Sequence, residues 1–83
     1  MLLVLPEVMA STFRVIDLRS GLETSPEMLI PKARSPEEAA RIALGEALVR
    51  SGQRDDLRAR VYFQQEGQPV SMVRLYRRVE DRP

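Results

Sequence analysis

The segment Leu57–Gln64 constrains the fold of this chain more than any other stretch. In it Leu57, Ala59, Val61 and Phe63 alternate with Arg58, Arg60, Tyr62 and Gln64. A two-residue period places one set on each side of a pleated backbone, so the pattern predicts a half-buried strand. Glu66-Gly67-Gln68-Pro69 follows as a turn. Val70 through Val79 is then expected to return beside the first strand. Val73, Leu75 and Val79 share the inward parity, while Met72, Arg74, Tyr76 and Arg78 share the outward one. Val70 and Met72 make that division imperfect.

Upstream, Ser35-Pro36-Glu37-Glu38 reads as a helix start. The Ser35 hydroxyl is placed to accept an early backbone N–H, Pro36 supplies a first-turn φ without needing a donor, and Glu38 stands where a capping box requires a carboxylate. From Pro36 to about Ser51, Ala40, Ala43, Leu44, Ala47 and Leu48 fall on one side at helical spacing, with Ser51-Gly52 as the expected end. Ile42 and Val49 fall on the other side, to be covered by the N-terminal segment, to contact a second copy, or to stay partly exposed.

The first third of the chain is less regular. Thr12–Leu18 is rich in strand formers, but the adjacent Val15-Ile16 pair leaves its faces unassigned; a bulge or a two-sided position would account for it. Ser20-Gly21 marks a loop, and Met28-Leu29-Ile30, bounded by Pro26 and Pro31, suits a brief edge strand. Residues 1–10 are read either as a further strand or as a flexible lead. The whole is expected to be one small α+β domain spanning residues 1–83, in the order β-β-α-β-β, with one helix packed on an antiparallel sheet of three or four strands. A chain of 83 residues is too short for two independent cores. The expected centre of the core is Leu44, Leu48, Val61, Phe63, Val73 and Leu75, completed by Phe13 and by Val15 or Ile16.

Several chemistries lack their parts. The chain holds neither cysteine nor histidine, which excludes disulfides, thiolate nucleophiles, histidine bases and the usual zinc sites. Ser35 is explained by capping. Glu37-Glu38 suits the positive end of a helix, Asp55-Asp56 lies in a turn read as solvated, and Glu80-Asp81 lies in the tail. The glycines form neither a dinucleotide fingerprint nor a P-loop. The expectation is therefore no enzymatic activity, no cofactor and no metal. The sequence has no apolar run of about 20 residues to span a bilayer, and Pro6-Glu7 interrupts the apolar start, so no membrane association and a cytoplasmic location are expected.

What remains is a surface. Charge is uneven: residues 1–49 carry 5 basic and 7 acidic side chains, residues 50–83 carry 8 and 5. Arg58, Arg60, Tyr62, Arg74, Tyr76 and Arg78 share the outward parity of the two C-terminal strands, forming a basic aromatic patch suited to recognition. A protein-interaction or self-association module, possessing a protein partner or pairing with itself as a homodimer through Ile42 and Val49 or through the tyrosines, is the first expectation. The alternative is single-stranded nucleic acid, with arginines on phosphate and tyrosines stacking on bases.

Overall fold

A computed structural model describes residues 11–19, 27–65 and 67–82, and it sets the alternating segment at the centre of a five-stranded antiparallel sheet. The strands are β1 (Ser11–Asp17), β2 (Glu27–Ala33), β3 (Leu48–Val49), β4 (Leu57–Phe63) and β5 (Ser71–Arg77), in the spatial order β2-β1-β4-β5-β3. One helix, α1 (Pro36–Leu44), packs on one side of it. The α+β class, the β4–β5 hairpin and the β-β-α-β-β order of the long elements match the sequence expectation; the two-residue β3 is additional and makes the sheet five strands wide, not three or four. The readings of residues 1–10 and of Ser20-Gly21 lie outside the described residues.

Helix α1 begins as its residues dictate. The Ser35 Oγ accepts the Glu38 N–H at 3.0 Å, and Glu37 and Glu38 occupy the first turn. The Glu38 carboxylate accepts the N–H of Arg34 at 2.9 Å, so the reciprocal bond falls one residue before the cap. The end of the helix corrects the expectation. Gly45 adopts the left-handed conformation at φ 74°, and its N–H donates to the Arg41 carbonyl, closing the helix after Leu44. Ala47 and Leu48 continue the helical spacing in sequence but not in space, because Leu48–Val49 instead adds a fifth, edge strand to β5.

Register decides which side chains meet α1. Phe13 lies opposite Phe63 and Val15 opposite Val61, while Ala59 pairs with Leu75 and Val61 with Val73. Phe13, Val15, Ala59, Val61 and Leu75, with Ala33, Ala39, Ala40, Leu44 and Leu48, form the core, whereas Phe63 and Val73, expected at its centre, are only partly buried and pack at its margin with Met28, Ile30 and Ala43. The Phe13 and Phe63 rings stand 5.2 Å apart, tilted by 41°. Of the adjacent pair in β1, Val15 is fully buried and Ile16 turns to the opposite side. Val79, expected inward, lies beyond β5 in a 3₁₀ turn and is 68% exposed.

Strand β2 is longer than its proline boundaries implied and contains Pro31 within it. Its pairing with β1 gains an extra residue there, and Lys32 takes φ 65°. The sheet edge tolerates a residue with no N–H at this position, and the bulge twists the outer margin of the strand.

Candidate interaction surface

Helix α1 covers one side of the sheet, and alternation sends the remaining side chains to the other. On that open side the register assembles two adjacent rows running across the strands. One row is Glu27, Ile16, Arg60 and Arg74, and the next is Leu29, Arg14, Tyr62 and Met72, each taken in order from β2 through β1 and β4 to β5. Leu29 is 62% exposed, Arg14 and Arg74 are exposed, and Ile16, Arg60 and Tyr62 are half-buried. The surface is thus an apolar ground carrying guanidinium groups.

Arg60 and Arg74 stand directly opposite one another on β4 and β5. Like charges in that position repel. Among the described residues, neither has an ion-pair partner, and nor does Arg58. The Nε atoms of Arg58 and Arg60 are enclosed and make no hydrogen bond to the described residues. Arg14 differs: its guanidinium carbon lies 5.2 Å from the Tyr62 ring centroid, and its Nη1 is 3.9 Å from the Glu27 carboxylate. An open depression of about 300 Å³ lies beside it, lined by Thr12, Arg14, Leu29, Tyr62, Phe63, Gln64 and Val70.

Four of the six sequence-predicted patch residues therefore sit close together, in three successive positions along β4 and one on β5. Arg58 is the extra residue of a bulge, where Leu57 and Arg58 together oppose Tyr76. Tyr76 shares the side but is partly covered by its own chain. The backbone of Gly52 passes so near that a Cβ there would lie 2.7 Å from the Tyr76 Cβ and 2.9 Å from its Cγ. Arg78 leaves the patch. It follows the last residue of β5 and forms a forked pair with Asp81 at 2.8 and 3.3 Å, which holds the Asp81 carboxyl below its ordinary range. Ile42 is on α1 and 53% exposed, whereas Val49 is on β3 opposite Tyr76, so the two share no helix side.

Sequence reasoning missed Arg14, Ile16 and Leu29, because β1 and β2 could not be assigned faces until their register with β4 was known. It also misread Asp56. This residue is 2% exposed, and its carboxylate accepts from Arg82 Nε at 3.0 Å and Arg77 Nη2 at 3.0 Å. Arg82 first, and then Arg77, holds its pKa below the ordinary carboxylate range, against the opposing effect of desolvation. Asp56 is a clasp between the 3₁₀ turn at Arg54–Asp56 and the C-terminal segment, not a solvated turn residue. Three further ion pairs lie at the helix ends and the neighbouring loops: Arg19 with Asp17 and with Glu46, and Arg50 with Glu37.

Among the described residues, no three carboxylates, histidines or cysteines gather closely enough to hold a metal ion. No described helix is long and apolar enough to cross a membrane. Comparison with protein-family models, with curated proteins and with solved structures finds no match to this chain.

Proposed function

We propose that this chain is a non-enzymatic recognition module that binds another protein through the open side of its sheet. The observation that carries this reading is the pair of rows described above: exposed Leu29 and Met72 and half-buried Ile16 and Tyr62, set among Arg14, Arg60 and Arg74. Aromatic, methionine and arginine side chains around an apolar centre are the composition of protein interfaces.

Two alternatives fit this geometry less well. Base stacking needs free aromatic rings, but Arg14 already lies over Tyr62 and Gly52 abuts Tyr76. Self-association of two open sides would bring the Arg60–Arg74 pairs of both copies together, at the cost of burying unpaired guanidinium groups. Edge-to-edge pairing is opposed at both margins: β3 has two residues, and β2 carries Pro31 and the bulge at Lys32.

A photoreactive phenylalanine placed at position 72, and separately at position 42 on α1, tests the reading in cells that express the chain. The expected result is a protease-sensitive adduct with a different protein from position 72, absent from position 42 and lost when Arg60→Glu is added. A nuclease-sensitive adduct, a product of twice the chain's mass, or equal adducts from both positions would overturn it.

A further inference from the structure

Resting on that reading, we infer that the partner segment is an extended acidic peptide whose sheet-facing residues run apolar, acidic, acidic at every second position. The argument starts from spacing. Along β4, Tyr62, Arg60 and Arg58 succeed one another at intervals of two residues, which in a strand is about 6.7 Å. An extended peptide lying along β4 repeats its sheet-facing side chains at the same interval. Its residues therefore meet the surface in step.

The chemistry changes along that line. At the end near Phe63 and Val70 lies the depression of about 300 Å³, with Leu29 and the Tyr62 ring on its wall, large enough for one aliphatic or aromatic side chain. One step on, Arg60 and Arg74 face one another across β4 and β5 without a carboxylate. A peptide carboxylate set between them accepts from both guanidinium groups and turns their mutual repulsion into attraction. The next step reaches Arg58, whose Nε, like that of Arg60, is enclosed without a partner among the described residues. Among the described residues, the acidic side chain that the register places in these rows is Glu27, at the opposite end of the Arg60–Arg74 row and facing Arg14. Arg60, Arg74 and Arg58 thus present guanidinium groups without a paired carboxylate among the described residues, and a peptide with carboxylates at those two steps matches them.

Charge complementarity separates this occupant from a neutral apolar segment, and the single-sided apolar depression separates it from a polyanion. A nucleic acid would engage Arg60 and Arg74 through phosphates, but stacking a base on Tyr62 from the side that Arg14 covers would require displacing Arg14 from that ring.

The test is a titration of the ¹⁵N-labelled full chain with a capped seven-residue peptide bearing leucine, glutamate and glutamate at alternate positions, with serine elsewhere. The amides of Arg14, Arg58, Arg60, Tyr62, Met72 and Arg74 are expected to shift while those of α1 do not. Changing both peptide glutamates to glutamine should weaken binding at least tenfold, and changing its leucine to serine about three- to tenfold. The same peptide should bind the Arg60→Gln/Arg74→Gln chain at least tenfold more weakly. That variant's undisturbed α1 and core amide shifts will show that it is folded. A serine–glutamate peptide without leucine that binds as tightly would overturn the apolar step. A twelve-residue oligothymidine that binds more tightly through the same arginines would overturn the choice of a peptide, as would the absence of any shift with the leucine-bearing peptide. If the photo-crosslink at position 72 succeeds and the peptide fails, the protein-binding reading stands and only this acidic pattern falls.

Discussion

Replacing Arg74 by glutamate should stabilise the free protein while abolishing its recognition of an acidic partner. Arg74 is exposed and stands directly opposite Arg60 in the β4–β5 register. Directly opposed side chains on neighbouring strands have Cβ atoms about 5 Å apart, and such pairs contribute about 0.2–1 kcal/mol. At that distance two unit charges in water interact by about 0.8 kcal/mol. Physiological salt, with a screening length of about 8 Å, reduces this by roughly half. Reversing one charge removes a repulsion and adds an attraction of similar size, so the expected gain is about 1 kcal/mol. For a domain of this length that raises the melting temperature by about 4–8 °C. Arg74→Gln, which removes the repulsion alone, should give about half as much. Urea and thermal unfolding in 0.05 M and 1 M sodium chloride measure both effects, because a screening length of about 3 Å at 1 M salt should cut the gain to roughly a third. Loss of stability in Arg74→Glu, or a gain unchanged by 1 M salt, would refute the idea that the two arginines oppose each other in the free protein.

Two further outcomes follow from contacts elsewhere. Gly52→Ala should cost about 1–3 kcal/mol in urea unfolding, because the new Cβ would lie 2.7 Å from the Cβ of Tyr76 and the loop must move; a change under about 0.5 kcal/mol would refute the close approach. Asp56→Asn should destabilise the protein at neutral pH, because it leaves Arg77 and Arg82 without their shared carboxylate. Its sign with pH is fixed by the lowered pKa of Asp56: the contribution is complete above the unfolded value near 3.9 and is lost as pH falls through the lower folded value. The difference between Asp56→Asn and the parent chain should therefore shrink below about pH 4, and a constant difference from pH 7 to pH 2 would contradict the clasp.

The parts of this fold that the sequence foretold are those governed by short-range periodicity. Arg58, Arg60 and Tyr62 on one side of β4, and the Ser35 cap, follow from residues within four positions of each other. The helix end did not, because Ala47 and Leu48 extend the apolar spacing past Gly45. The backbone conformation of Gly45 and the pairing of Leu48 with Arg77 outweighed that spacing. Asp56 was misread for a related reason. Its two arginine partners lie 21 and 26 residues further on, and local patterning carries no sign of them. Arg14 joined the surface only through its register opposite Tyr62, a pairing between strands far apart in the chain.

That same pairing sets the order in which the molecule is able to assemble. β1 and β2 are neighbours in sequence, as are β4 and β5, and each pair closes locally. The Phe13–Phe63 and Val15–Val61 rungs, which join the two pairs, bridge more than forty residues. The logarithmic law for loop closure assigns a span of that length about 3 kcal/mol of entropy, beyond a constant common to all loops. Until this seam closes, neither pair has the full layer beneath it on which α1 rests. The helix, contacting β1, β2 and β4 alike, thus reports on completion of the seam, and its amide protection should rise in step with that of β1 and β4 during refolding, not ahead of them.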